Sequence, residues 1–64
     1  MMKTGVFMTI VDYERQKHHW TVRYLCEEYD VEKKDYEYYL KGIKTPPPDF
    51  VLKMIRAFGL DAFM

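Results

Sequence analysis

The residues best placed to do chemistry lie in one short stretch. Glu32-Lys33-Lys34-Asp35-Tyr36-Glu37-Tyr38-Tyr39-Leu40-Lys41 crowds three lysines and three tyrosines together, and Lys44 follows shortly after. Ammonium groups at such spacing pair with phosphate oxygens, and tyrosines stack on bases or build protein interfaces. Other reactive residues offer less. His18 and His19 are adjacent, so they do not point the same way on a helix, and no cysteine or carboxylate cluster joins them; a solvated loop is expected, with no metal. Cys26 is the single cysteine, and its helical setting predicts an inert buried thiol. The chain has no serine and no asparagine, no nucleophile with a base nearby, no glycine-rich phosphate loop and no paired metal motif. Catalysis therefore has no support, and no cofactor is expected.

The frame holding these residues must be small. Sixty-four residues allow one domain with a single thin core, spanning residues 1–64, which excludes a two-domain enzyme. A hydrophobic share of 48% and an aromatic share of 17% are too rich for a disordered chain. One thiol cannot form an internal disulfide and fits a reducing compartment, and no apolar run approaches the roughly 20 residues of a membrane span. A cytoplasmic protein is expected. Met8 offers an alternative start, which would leave residues 1–7 as an extension. Ten basic side chains balance ten acidic ones, so the usual basic signature of a nucleic-acid binder is missing from the total.

Apolar spacing and breakers divide the chain into short helices. The first is predicted from Phe7 to about Lys17. Thr21 is placed to cap a second, with Val22, Leu25, Cys26 and Tyr29 on one face and Trp20 stapled onto Tyr24 or Leu25. A third runs from about Glu32 to Lys41 and stops at Gly42. The run Pro46-Pro47-Pro48 forces a rigid turn, after which Asp49 suits the start of a fourth helix whose buried stripe is Val51, Leu52, Met54, Ile55 and Phe58, closed by Gly59. The expected core is Val11, Trp20, Leu25, Cys26, Val31, Tyr36, Leu52, Ile55 and Phe58. Leu60 to Met64 are expected to finish the core or to join a second copy.

From Trp20 to Leu60, about two-thirds of the chain, the sequence resembles the lambda-repressor and Cro-like helix-turn-helix domain, the XRE class. The matching features are the cap Thr21, the small Cys26 at a close crossing, the aliphatic Val31 after the turn, Tyr36 inside the third helix, Gly42, Pro46, and the ending Phe58-Gly59-Leu60. The resemblance implies an all-α, four- to five-helix domain that acts as a small sequence-specific DNA-binding regulator, as a homodimer, of the kind mobile elements encode. It places the third helix in a major groove, with Glu32, Lys33, Lys34 and Glu37 towards base edges and nearby phosphates. Thr21, Val22 and Arg23, with Lys41, Ile43 and Lys44, would face the phosphate backbone.

A second reading stays open beside it. Val22 and Pro47 stand where the family commonly has polar anchors for phosphate, and residues 21–30 hold one cation against three anions. The same scaffold could instead serve as a protein-interaction module, an inhibitor, antirepressor or assembly factor, binding through Tyr38, Tyr39 and Phe63. Residues 31–44 tilt the other way, with four lysines against three acids. Neutrality is thus a sum of unlike parts.

Overall fold

The computed structural model describes residues 4–60, which form four helices and no strand: α1 (Thr4–Lys17), α2 (Val22–Glu28), α3 (Lys33–Lys41) and α4 (Pro48–Phe58). None of the described helices is long and apolar enough to cross a membrane. α1 starts three residues before the predicted Phe7, because Phe7 and Met8 are both buried and their packing fixes the helical turn around them.

Each helix ends on a residue in the left-handed region. Gly42 (φ 78°) and Gly59 (φ 62°) end α3 and α4 as expected. His19 (φ 61°) and Asp30 (φ 57°) do the same for α1 and α2 without being glycine. After α1, the amide of His19 donates to the Gln16 carbonyl at 3.0 Å and that of Trp20 to Arg15 at 3.1 Å. After α2, Val31 donates to Cys26 at 2.9 Å, and after α3, Ile43 donates to Tyr38 at 2.9 Å. These bonds satisfy carbonyls that a helix end would leave bare, and they turn the chain sharply into the next element. Starts are equally local. The Thr21 hydroxyl accepts from the Tyr24 amide at 3.0 Å, and Pro48 opens α4 behind an extended Pro47 (ψ 154°).

The core is built from Phe7, Met8, Val11, Leu25, Cys26, Tyr36, Tyr39, Phe50, Met54 and Leu60. Four of the nine residues expected there are buried. Trp20, Val31, Ile55 and Phe58 are half-buried and pack against the core. Leu52 is 45% exposed, which corrects its assignment. At 100° per residue it stands about 200° round α4 from both Phe50 and Met54, the pair that faces inward. Trp20 does reach Tyr24, with ring centroids 5.0 Å apart.

One polar network joins the helices. The hydroxyl of fully buried Tyr36 on α3 donates to Oδ1 of Asp12 on α1 at 2.8 Å. Asp12 also accepts from Arg15 Nε at 3.0 Å and Gln16 Nε2 at 2.8 Å, and Arg15 Nη1 donates to the Trp20 carbonyl at 2.6 Å. Burial alone would raise the Asp12 carboxyl. The donated hydrogen bonds from Tyr36, Arg15 and Gln16, with the Arg15 charge, outweigh it and hold the group below its ordinary value of 3.8. Burial, together with the neighbouring carboxylate, pushes the Tyr36 phenol far above its ordinary range.

Replacing Tyr36 by Phe keeps the ring and removes the bond to a charged acceptor, so urea unfolding is expected to show a loss of about 1–3 kcal/mol. A carboxyl held low contributes stability that is fully present above its unfolded value and is lost as pH falls through the folded one. Stability measured by urea titration is therefore expected to decline below about pH 4, and Asp12→Asn to flatten that decline while lowering stability at neutral pH.

Candidate nucleic-acid interface

The sequence Lys-Lys-Asp-Tyr-Glu-Tyr-Tyr-Leu-Lys divides cleanly on a helix. At 100° per residue, Lys33, Glu37, Lys41, Lys34 and Tyr38 fall within an arc of about 140°, Tyr39 and Tyr36 fall on the other side, and half-buried Leu40 stands at the edge beside Lys33. Tyr36 and Tyr39 pin the second arc into the core, so the first must face solvent. Lys33, Lys34, Glu37 and Lys41 are accordingly exposed, and Tyr38 is half-buried. The result is a surface of three lysines and one glutamate on a rigid helix.

Lys44 is brought to the same surface from the loop after α3. Its Nζ sits 2.9 Å from Asp35 Oδ1, and the hydrogen bond from that ammonium to the carboxylate, with the attraction between the charges, raises the lysine above its ordinary value. Lys34 and Lys44 both lie over the Tyr38 ring, with Nζ 5.7 and 5.9 Å from its centroid. The aromatic face thus gathers two cations that backbone geometry alone would not hold together. Asp35 and Tyr38 set this arrangement. Sequence spacing did not single out Asp35, because its partner is nine residues away, beyond the left-handed turn at Gly42.

Other candidates stand at varying distance from this surface. Arg23 on α2 and Lys33 on α3 line one shallow depression with Cys26, Glu27, Asp30 and Val31. Arg23 pairs with Glu27 at 3.1 Å, and both are well exposed, so water and salt screen the pair and leave the guanidinium free to exchange partners. Thr21 is exposed at the start of α2; its oxygen accepts from the Tyr24 amide, and its own proton remains available to an acceptor. Glu32 departs from expectation. It precedes α3 and lines a cleft with Asp30, Asp35, Asp49 and Lys53, on the side of the helix turned from Lys34 and Lys41, that adjoins the Arg23–Lys33 depression at Asp30 and Val31.

One of the residues expected to bind a partner protein is placed otherwise. Tyr39 is 6% exposed and packs at a tilt of 49° against Phe50 with centroids 5.3 Å apart, because the inward arc of α3 needs its ring to fill the core. Tyr38 is shielded by its two lysines, and Phe63 lies outside the described residues. Leu60, expected in a core turn or a dimer contact, belongs to the core at 1% exposure. Burial pushes the Cys26 thiol up, which keeps it protonated and unreactive. His18 packs against Trp20 and Phe58, with ring centroids at 5.6 and 5.4 Å, and no three metal-ligating side chains converge among the described residues.

No known protein-family model matches the chain, and no match was found among curated proteins or solved structures.

Thr21 holds α2, and hence Arg23, through one capping bond at an exposed position. Thr21→Ala is expected to cost about 1 kcal/mol, read from the urea midpoint, with no change in the slope of the unfolding transition.

Proposed function

We propose that this protein is a small sequence-specific DNA-binding regulator with a lambda-repressor-like helix-turn-helix fold, and that α3 enters the major groove. The observation that carries the reading is the outward arc of α3, which offers Lys33, Lys34 and Lys41 with only Glu37 among them. The short link from α2 to α3, with its left-handed Asp30, supports the two-helix arrangement. Lysines on the arc would meet bases or phosphates, Lys44 and Arg23 would take the flanking backbone, and the Thr21 hydroxyl would donate to a phosphate oxygen. The role is binding rather than catalysis. With so few cations engaged, affinity from the backbone alone is modest, so two copies on adjacent half-sites are the arrangement that yields specific binding.

Selection from a random duplex pool tests this directly, and one enriched sequence is expected. Fluorescence anisotropy on that duplex should show affinity falling with salt, and Lys33→Ala and Lys34→Ala should each lower the logarithmic salt slope by about one where the lysine meets a phosphate. A pool that enriches nothing would refute the reading.

A further inference from the structure

On the flank of α3 turned away from the lysines, a cleft of about 390 Å³ opens between the α2–α3 turn and the first turns of α4. Its apolar lining is Tyr29, Val31 and Pro47 with what remains exposed of the buried rings of Tyr39 and Phe50, which meet at a tilt of 49°. Its rim is mostly acidic, with Asp30, Glu32 and Asp49 exposed around it, half-buried Asp35 beside them and Lys53 as its one basic lining residue. Asp35 and Asp49 have lysine partners, at 2.9 Å to Lys44 and 3.6 Å to Lys53. Asp30 and Glu32 have neither an ion pair nor a side-chain hydrogen bond among the described residues. An apolar floor under unpaired carboxylates asks for an apolar group flanked by cations.

The chain itself exposes such a group. Ile43 is the most exposed large hydrophobic residue among those described, at 65%, and Lys41 and Lys44 flank it in the turn after α3. The bond from Lys44 to Asp35 sets this turn beside the cleft, since Asp35 also lines it. Two copies facing each other across a two-fold axis could then each seat Ile43 in the other's cleft. We propose that the cleft receives the turn Lys41-Gly42-Ile43-Lys44 of a second copy, with Ile43 on its apolar lining and the lysines against Asp30 and Glu32. The contact does not depend on the DNA reading, although it draws on Lys41 and Lys44, so a duplex and a second copy would compete for that turn.

Sedimentation equilibrium of the full chain without DNA tests the proposal. The mass is expected to rise from monomer to dimer with concentration and to stop there, and added salt should weaken the dimer. Ile43→Asp should remain monomeric at concentrations where the unaltered chain is dimeric. Ile43 makes no buried contact, and far-UV circular dichroism is expected to stay the same. The double variant Asp30→Asn, Glu32→Gln should weaken association by about fourfold or more, because the two-fold axis repeats the two partly exposed ion pairs and four are lost; asparagine tolerates the left-handed backbone at position 30. A monomer at the highest soluble concentration, growth beyond the dimer, or variants that associate like the unaltered chain would each overturn the proposal. So would a blocked lysine-leucine peptide that shifts the cleft amides in NMR spectra of a chain that stays monomeric, since it would assign the cleft to a foreign basic segment.

Discussion

Burying Tyr36 completely obliges its hydroxyl to find a partner inside the fold, and Asp12 is that partner. Much else follows from this bond. It fixes the distance and rotation of α3 against α1, because a phenol oxygen and a carboxylate tolerate little slack. The carboxylate is in turn held by Arg15 and Gln16, and Arg15 reaches on to the Trp20 carbonyl, which is the residue before the α2 cap. A single network thus runs from the buried side of α3 through α1 to the start of α2. Arg15 is consumed by it, so this cation is absent from any outer surface.

The rotation fixed in this way decides what α3 offers to solvent. Tyr36 and Tyr39 are turned inward, and the lysines have no alternative but to face out. Three lysines on one arc and Asp35 at the edge of the cleft on the other side are two consequences of the same register; Asp30, Glu32 and Asp49 join that cleft from the preceding turn and from α4. A helix turned by one residue, about 100°, would bring Asp35 and Tyr39 towards the lysine side and leave a mixed, half-apolar surface.

Much of this was legible in the residues. Helix boundaries followed from Thr21, Gly42, Gly59 and the proline run, because each acts through its own backbone or side chain and needs no distant partner. The lysines of α3 were legible for the same reason, since spacing alone puts them on one arc. Two kinds of fact were not. His19 and Asp30 adopt left-handed conformations that glycine would signal, and nothing in their side chains announces it. The tyrosines posed the harder question, because a tyrosine serves equally as core or as contact surface. Tyr36 was placed inside and Tyr39 was not, and only the packing of Phe50 decides the second. Likewise Leu52 reads as core by composition, while the register set by Phe50 and Met54 turns it outward. The link from Lys44 to Asp35 crosses a turn whose geometry no periodicity encodes.

The separation of charge across α3 has an electrical consequence. With ten charges of each sign the chain has no formal net charge, so what acts at long range is the arrangement of the charges rather than their sum. If the partner is a polyanion, such an arrangement experiences a torque that favours the lysine arc inward and the acidic cleft outward. The pull itself decays faster with distance than that on a net cation, and mobile ions shorten it further. For a chain of zero net charge, orientation therefore counts for more than distance in a first encounter with any charged partner.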